Sequence, residues 1–459
     1  MEDTHMTETP YNIISQFPFL NGYTHLIRVF KLEESGSRAD TFNQVRHAFR
    51  KLHFQIPWLH HQVLTNKKSN SASEITTSAP WPRSGPANDV IRVDMDRVLP
   101  SFQALINSGC PLSSIPSQHV ARCPGLPQAH GLSIAPVMGV QVTFIEGGAL
   151  VTLSTHHNMI DGQGTMLLWE YLATLMSGGD IPAEEIKFAN IDRSHAIPLL
   201  SAGTPQKDYS HLIRPDPWPL PPPPQTMWRV YMMKWSDLAS IRSSFTQNGG
   251  NGTDKTSVDD DLSAWCWKGI CAARLRTGRF QGQQTTKFGR ALDARRSVGI
   301  VRGYLGHMVM HTSTRMSFDE VIGTTVSDLA RRLKADRAAS STEQSVRSYA
   351  TFLASVKNKS KIMYGGLHNP ETDIGGSSLL HWAKRPLPDM GLLGQSHAFR
   401  RAGGPTIPSC MYFFPSDQDN FLQIVLCMTE ETLSSLEADA AWNRYAKVSR
   451  GNQELKPRL

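Results

Sequence analysis

The chain contains 459 residues, of which 40% are hydrophobic and 19% are charged, and this composition predicts a folded globular protein of two domains rather than a disordered or fibrous one. Its formal charge of +7 and isoelectric point near 9.1 favour anionic small ligands, but the basic residues form no run of five or more, which argues against a nucleic-acid partner. No stretch approaches eighteen uninterrupted apolar residues, so the sequence also argues against a membrane-spanning protein.

The first half of the chain opens with a predicted strand and a predicted helix. β-Branched and aromatic residues predict a strand from Thr24 to Leu32, and apolar residues at three- and four-residue steps predict an amphipathic helix from Asp40 to Phe54. Two stretches rich in Ser, Thr, Pro and Asn, 66–89 and 107–130, predict surface loops.

A segment with two adjacent histidines follows a predicted β-hairpin. The hairpin joins Val137–Ile145 to Ala149–Leu153 and leads directly into residues 154–162, whose sequence is STHHNMIDG. Apolar spacing from Thr165 to Leu172 then predicts a helix. The histidines therefore lie where a strand ends and a helix begins.

The chemistry of this junction has two interpretations. A neutral imidazole can take a proton from an alcohol or amine and return it to a leaving group, because its ordinary pKa lies near neutral pH. On this interpretation His156 and His157 supply a base, and Asp161, four residues after His157, supplies a structural acid. On the alternative interpretation the histidines merely end the strand and Asp161 caps the following helix.

A proline-rich segment divides the chain. Residues 214–224 read RPDPWPLPPPP, which predicts a stiff polyproline-type connector. We therefore assign an N-terminal domain to residues 1–214, a linker to 215–225 and a C-terminal domain to 226–459.

The second half begins with a predicted strand, Trp228–Trp235, and two predicted helices, Ser236–Phe245 and Ser257–Trp267. The second helix carries three acidic residues in its first turn, where the helix dipole favours negative charge. Metal binding is the alternative for these acids, although no histidine or second acidic cluster nearby completes an oxygen-rich shell. The acids are Asp259, Asp260 and Asp261.

The cysteines and the N-terminus bear on the cellular location. Six cysteines, at positions 110, 123, 266, 271, 410 and 427, show no C-x-x-C pair and no spacing typical of zinc ligands, so we expect reduced thiols and no metal. The start of the chain, Met1–His5, is polar and has no apolar segment of the kind found in signal peptides. We therefore expect a cytoplasmic protein, and a monomer.

Further motifs extend the histidine pattern along the chain. They are LDARR at 292–296, GYLGH at 303–307, HWAKRP at 381–386 and DMGLLG at 389–394. Together with HHxxxDG, in this order and around a proline-rich linker, they resemble the signatures of the BAHD acyltransferases of plant and fungal secondary metabolism. That family is part of the superfamily of chloramphenicol acetyltransferase and peptide-synthetase condensation domains. His307, Met390 and Leu392 depart from the residues usual in the family, so the chain resembles a divergent, fungal-type member.

The resemblance implies a fold and an activity. The fold is α/β (α+β with mixed sheets), with two chloramphenicol-acetyltransferase-like domains and an active-site channel between them. The activity is transfer of an acyl group, expected to be acetyl, from acyl-coenzyme A to a hydroxyl or amine of a small natural-product acceptor, without a covalent acyl-enzyme or a metal. Acyl-coenzyme A and that acceptor are therefore the expected partners.

The resemblance also implies roles for individual residues. His157 is the general base, and Asp161 pairs with Arg295 instead of completing a catalytic triad. The residues expected to support the structure of the site are Asp161, Gly162, Arg295, Asp389 and Gly391. The oxyanion donor is expected among backbone N–H groups near Gly162 or hydroxyls of the second domain. The remaining candidates for substrate contact or support are His156, His307, Ser377, Ser378 and Trp382.

Two other functions stay open at this point. The doubled histidine also matches condensation domains, whose donor is tethered to a carrier protein, although the Arg295 and Asp389 motifs favour free coenzyme A. A catalytically idle binding protein of the same fold is the second alternative. An intact His157 argues against it, because an idle protein has no chemical reason to keep that base.

Overall fold

The computed structural model describes residues 12–33, 36–67, 74–81, 88–123, 125, 135–246, 256–385, 389–416 and 420–449. The strands in this part of the chain are β1 Tyr23–Lys31, β2 Gln62–Lys67, β3 Glu74–Ala79, β4 Ile91–Asp94, β5 Met138–Ile145, β6 Gly148–His156, β7 Met227–Lys234, β8 Thr285–Asp293, β9 Val309–Ser317, β10 Ile374–Ser378, β11 Ser396–Arg401, β12 Cys410–Pro415, β13 Phe421–Met428 and β14 Ala446–Val448. The α-helices are α1 Arg38–Gln55, α2 Phe102–Asn107, α3 Ser117–Val120, α4 Gly162–Met176, α5 Ala183–Ala189, α6 Trp235–Thr246, α7 Val258–Arg276, α8 Phe318–Gly323, α9 Val326–Ser340, α10 Glu343–Ser355, α11 Glu430–Glu437 and α12 Ala440–Tyr445.

The first sheet contains five strands in the order β11-β1-β6-β5-β4. β1 runs antiparallel to β6 from Tyr23 opposite His156 to Lys31 opposite Gly148, so this pair ends at the histidine motif. β5 and β6 form the predicted hairpin, and every residue of both strands is buried. The apolar residues of α1 and α4 share the core of this sheet. Because the hairpin is covered on both faces, its sequence reads as nearly continuous apolar runs.

The second sheet contains seven strands in the order β14-β7-β13-β12-β10-β8-β9 and mixes parallel with antiparallel pairs. One face packs with α7 and α9 in a core that includes Trp267, Phe288 and Met411. The other face joins the core of the first sheet through residues such as Val230 and Val425. The predicted α/β architecture with mixed sheets is confirmed.

The proline-rich segment does not separate the two sheets completely. All strands of the second sheet follow residues 214–224, as the predicted boundary requires, but β11 comes from the second half of the chain and pairs antiparallel with β1 of the first sheet. The first sheet therefore takes residues 396–401 from the segment that the prediction assigns to the C-terminal domain, 226–459. Pairing between segments this distant leaves no local signal in the sequence.

The predicted loop 66–89 contains a strand. Residues 74–79 form β3, which pairs antiparallel with β2, and Thr76, Thr77 and Ser78 within it are buried. β-Branched threonines suit a strand as well as a loop, which explains the wrong prediction. Residues 68–73 and 82–87 lie outside the described residues, as do 124, 126–134 and the polar start Met1–His5.

The predicted helices of the second half are present. α7 begins after Ser257, whose side chain forms a reciprocal capping box with Asp260. Asp260 also accepts hydrogen bonds from Arg290 at 2.6 Å and Arg337 at 2.9 Å, and Asp261 pairs with Arg242 at 2.6 Å. These two carboxylates therefore balance the positive charge of the three arginines and the partial positive charge of the helix N-terminus. Among the residues that the structure describes, no helix is long and apolar enough to cross a bilayer.

Candidate active site

The histidine motif forms a tight turn between β6 and α4. His156 is the last residue of β6, His157 begins the turn, and α4 starts at Gly162. Asp161 is the N-cap of α4, because its side chain accepts a hydrogen bond from the Gly164 N–H at 2.9 Å. The motif therefore ends a strand and caps a helix. Whether it also acts as a catalytic base depends on the surroundings of His157.

The surroundings of His157 define its tautomer. Its backbone N–H donates to the Gly22 carbonyl at 2.8 Å, and its Nδ1 lies 3.2 Å from the Ile160 carbonyl oxygen. Because a carbonyl only accepts, Nδ1 carries the proton and Nε2 keeps its lone pair. Burial lowers the pKa of His157 below 6.5, although the Ile160 carbonyl and Asp161 partly oppose this. The half-buried imidazole is therefore a neutral base at neutral pH.

Asp161 is bound to Arg295, as the family resemblance implies. The two terminal nitrogens of Arg295 each donate to the Asp161 carboxylate at 2.9 Å, and the Met308 N–H donates to it at 2.9 Å. Burial alone would raise the pKa of Asp161, but the charge and hydrogen bonds of Arg295 hold it below its usual value. The Asp161 carboxylate is thus ionised and hydrogen-bonded to Arg295. It does not bind His157 Nδ1, which lies against the Ile160 carbonyl instead.

His307 is the nearest aromatic neighbour of His157 that the sequence singled out. Its Nδ1 lies 3.0 Å from the His157 carbonyl oxygen, and the two imidazole rings meet edge to face with centroids 5.3 Å apart. Its own carbonyl accepts a hydrogen bond from Asn12 at 2.6 Å. Burial lowers the pKa of His307 to about 3, so this ring is also neutral. A fully buried His307 supports the turn and does not line it.

Two residues that the sequence did not single out extend this group of rings. The ring of Tyr364 lies 6.2 Å from that of His307 and 4.2 Å from that of His311, measured between centroids. Tyr364 comes from a segment without regular structure, so no periodic pattern marks it. His311 could have been found, because it lies four residues after His307 at the start of a strand.

His156 faces away from solvent. It is 1% exposed, and its ring meets the ring of Tyr23 edge to face with centroids 5.1 Å apart. Burial lowers the pKa of His156 to about 3. The environment of His156 is therefore that of a core side chain.

Close packing requires glycine at position 164 and favours it at position 162. A Cβ on Gly164 would lie 2.2 Å from the Leu305 carbonyl oxygen, and a Cβ on Gly162 would lie 3.3 Å from Leu379 Cδ2. Both neighbours belong to the second half of the chain. The two glycines therefore allow the second half to approach the motif turn closely.

Trp382 also joins the two halves at this point. The Trp382 indole N–H donates to the side-chain oxygen of Gln163, in the first turn of α4, and His381 Nε2 lies 2.8 Å from the same oxygen. Sequence reasoning missed Gln163, although it lies directly after the motif.

Asp389 and Gly391 lie at the opposite end of α4. The Asp389 carbonyl accepts from Ser177, and a Cβ on Gly391 would lie 2.3 Å from Gln44 of α1. Since α4 has 15 residues and rises about 1.5 Å per residue, this contact is roughly 20 Å from the histidine turn. Both residues therefore fix the far end of the helix that begins at the histidine turn, and their support of the active site stays a prediction.

The two serine candidates lie on β10 with opposite orientations. Ser377 is in register with Tyr412 and Ser378 with Phe413, so their side chains point to different faces of the second sheet. The Ser378 hydroxyl accepts a hydrogen bond from the Leu380 N–H at 3.3 Å. Ser377 is thus the serine on the face that carries Tyr412.

Comparisons with known proteins identify relatives that cover nearly the whole chain. Residues 23–175 match the family model described as the trichothecene 3-O-acetyltransferase-like N-terminal domain. The chain is 44% identical to O-acetyltransferase SAT5 of Stachybotrys chartarum, over 98% of this chain and 97% of that protein, and 30% identical to O-acyltransferase pigD of Monascus ruber, over 97% and 99%. The solved structure of F. graminearum TRI101 complexed with ethyl coenzyme A is 25% identical, covers 96% of this chain and 99% of its own, and superposes with a TM-score of 0.87. The chain therefore belongs to the BAHD-type acyl-coenzyme A-dependent acyltransferases, among the fungal O-acyltransferases.

Proposed function

We propose that this enzyme transfers an acetyl group from acetyl-coenzyme A to a hydroxyl of a small natural-product acceptor, with His157 as the general base. The observation that carries the proposal is the His157 imidazole, which is neutral, half-buried and bonded through Nδ1 to the Ile160 carbonyl, so that the Nε2 lone pair is free for the acceptor. The names of the relatives, O-acetyltransferase and O-acyltransferase, support a hydroxyl acceptor over an amine.

The proposed step balances protons and electrons within the site. His157 Nε2 takes the hydroxyl proton as the acceptor oxygen attacks the thioester carbonyl carbon. The tetrahedral intermediate then collapses, the carbon–sulfur bond breaks, and the departing sulfur takes the proton from the imidazolium to give the free thiol of coenzyme A. The products are an ester and coenzyme A, and no acyl-enzyme forms.

The oxyanion of that intermediate needs a hydrogen-bond donor. The start of α4 offers backbone N–H groups at Gly162, where the helix dipole adds positive potential, and Ser377 offers a hydroxyl from the second sheet. One such donor contributes about 2.7–4 kcal/mol in enzymes where it has been removed. We assign the role to the Gly162 end of α4 first, because it belongs to the same turn as the base.

The proposal also covers the oligomeric state, the cellular location and the metal requirement of the protein. We propose that the protein is a monomer, that it works in the cytoplasm and that it needs no metal. The six cysteines are all unpaired in the structure, which supports the cytoplasmic location. Size-exclusion chromatography with light scattering tests the first point, and fractionation of the producing cells tests the second.

The test of the function is a turnover assay with defined donors. Purified protein is incubated with acetyl-, malonyl- and longer acyl-coenzyme A thioesters, with and without a pool of natural-product alcohols, and thiol release is followed together with ester formation by mass spectrometry. We expect alcohol-dependent thiol release, fastest with acetyl-coenzyme A, and none with His157→Ala. Turnover only with a carrier-bound acyl group would overturn the proposal in favour of a condensation-type enzyme.

A further inference from the structure

A buried arginine stacks on a tryptophan near the end of α5. Arg193 begins the short 3-10 turn Arg193–His195, four residues after the last residue of α5, and it is 4% exposed. Its guanidinium carbon lies 3.8 Å from the centre of the Trp58 ring. The Trp58 indole N–H donates to the Ala189 carbonyl at 2.8 Å, which fixes the ring beneath the guanidinium. An aromatic ring therefore covers one face of this positive charge.

The terminal nitrogens of Arg193 have no partner within the described part of the chain. Both Nη1 and Nη2 are buried and make no hydrogen bond there. Burial lowers the pKa of Arg193 to about 10, which is still far above neutral pH, so the guanidinium keeps its charge. A buried cation without hydrogen bonds is strongly unfavourable, and stacking on an indole compensates for only part of that cost.

The acidic residues of the surrounding segments have other partners. Asp192 precedes Arg193 in the chain, but its carboxylate binds His195 Nδ1 at 2.9 Å. Glu185 of α5 forms an ion pair with Arg302 at 2.8 Å. Neither carboxylate forms an ion pair with Arg193, so its charge is left without a direct counter-ion from these segments.

A second buried donor lies close enough to feel the charge of Arg193. Burial raises the pKa of Tyr304 to about 12, and the charge of Arg193 opposes this rise. The Tyr304 hydroxyl oxygen accepts a hydrogen bond from Asn12 at 2.9 Å, so its own proton remains to be donated. Arg193 and Tyr304 therefore both have hydrogen-bond donors to offer at this place, which is the chemistry that an anion requires.

This place lies where the two halves of the chain meet. Tyr304 belongs to loop 303–307 of the second half, which packs closely on α5, because a Cβ on Gly303 would lie 2.6 Å from the Glu185 carbonyl oxygen. The Tyr304 carbonyl accepts a hydrogen bond from Arg295 Nε at 3.2 Å. A ligand held by Arg193 and Tyr304 would therefore link the first half of the chain to the loop that Arg295 holds.

Burial and charge select the kind of anion. Arg193, Trp58 and Tyr304 are each at most 7% exposed, which leaves no wide opening for a molecule that carries a carboxylate. One guanidinium balances one negative charge, whereas a doubly charged phosphate would bury a second charge without compensation. A monovalent ion of one atom meets both conditions.

We propose that Arg193, stacked on Trp58, binds one halide ion, chloride in the cell, through Nη1 and Nη2, with the Tyr304 hydroxyl as a further donor. The ion neutralises the buried guanidinium and stabilises the junction between α5 and loop 303–307. This inference is independent of acyl transfer, since neither donor touches the His157 imidazole in the proposed step.

The test measures whether halide stabilises the protein through Arg193. The purified full chain is melted in sodium gluconate and in rising sodium chloride or bromide at constant ionic strength. The variant is Arg193→Met. The matched control is Arg92→Met, because Arg92 also stacks on an aromatic ring, that of Phe144 at 5.0 Å, but has its own carboxylate partner, Asp94 at 3.0 Å.

We expect a saturable rise in melting temperature of about 1–2 °C by about 100 mM chloride in the wild type and in Arg92→Met. Arg193→Met should show no such rise, because it has lost the donors that hold the ion. An equal rise in wild type and Arg193→Met would overturn the proposal, since the stabilising ion would then bind elsewhere.

Iodide gives a second measurement that reports on Trp58 directly. A bound iodide quenches the fluorescence of a tryptophan that it lies beside, so wild-type quenching should contain a saturable part that chloride displaces. Trp58→Phe, which keeps an aromatic ring under the guanidinium, should lose this part. The competition between iodide and chloride uses the wild type alone and decides the matter even if Arg193→Met fails to fold. Purely linear quenching that chloride does not reduce would overturn the proposal, since the guanidinium would then be solvated by water.

Discussion

The Asp161 carboxylate meets both terminal nitrogens of Arg295 at 2.9 Å, and this pair connects the turn after β6 to the loop after β8. Arg295 also donates to the carbonyls of Tyr304 and Gly306, so one guanidinium holds three segments together. Both side chains are buried, at 1% and 7% exposure. The ion pair therefore links the two sheets. It lies close to His157 but is not bonded to it.

Asp161→Asn and Arg295→Met should lower stability as well as activity. Arg295→Met leaves the buried Asp161 carboxylate without a cation, which costs about 3–5 kcal/mol. Asp161→Asn should cost less, because Arg295 keeps the Asp293 carboxylate at 2.9 Å. Thermal melts and urea titrations of both variants measure the loss. An unchanged melting temperature with lost activity would instead mean that Asp161 acts directly on His157.

His157→Ala should abolish nearly all transfer while the fold stays intact. A positioned general base contributes about 10² to 10⁴ in rate. His156→Ala is the matched comparison, since that ring is buried against Tyr23, and we expect a loss of stability with far more activity retained. Equal loss of kcat in the two folded variants would show that the roles are assigned wrongly.

The pH dependence of kcat/KM should show one ionisation on its acid side. Burial lowers the pKa of His157 below 6.5, so the neutral imidazole is the main form at pH 7 and activity falls only when the pH drops through that lowered value. A profile measured from pH 4 to 9 checks this. An acid limb centred above pH 6.5 would contradict the burial of the base.

His307→Asn should retain much of the activity that His307→Leu loses. Asparagine can still donate a hydrogen bond to the His157 carbonyl, whereas leucine cannot. Loss of that bond at a partly buried carbonyl costs about 1–3 kcal/mol, part of which should appear as a lower kcat. Equal kcat values for the two variants would exclude a positioning role.

Stability should fall between pH 6.5 and pH 3. Burial lowers the pKa of both His156 and His307 to about 3, so in this range the unfolded chain binds more protons than the folded one. The effect is at most about 1.4 kcal/mol per pH unit for each histidine. Urea unfolding at pH 7 and pH 5 measures the difference, and it should be smaller in His156→Leu. An equal difference in that variant would show that His156 is not responsible.

Much of the fold could be predicted from local pattern, and much of the site could not. α1, α7 and the β5–β6 hairpin follow directly from apolar periodicity, because each buries a regular face. The Asp161–Arg295 pair required a family pattern, since 134 residues separate its members. Tyr364 carries no periodic signal, and the distance of Asp389 from the base depends on which end of α4 it contacts.

One glycine within a predicted strand carries a signal of its own. Gly289 lies inside a run of strand-forming residues, and a glycine in such a place indicates close approach by another group. Its partner Gly375 becomes visible only through strand register, which a single sequence does not supply.

The position of β11 has a consequence during protein synthesis. Roughly 240 residues separate the end of β6 from the start of β11, and at about 5–20 residues per second the ribosome needs roughly 10–50 s to deliver them. During that interval one edge of β1 has its backbone N–H and carbonyl groups unpaired, and an open strand edge invites association with other chains. The nascent first half cannot complete its sheet before most of the second half has emerged, so folding of the two halves is coupled from the beginning.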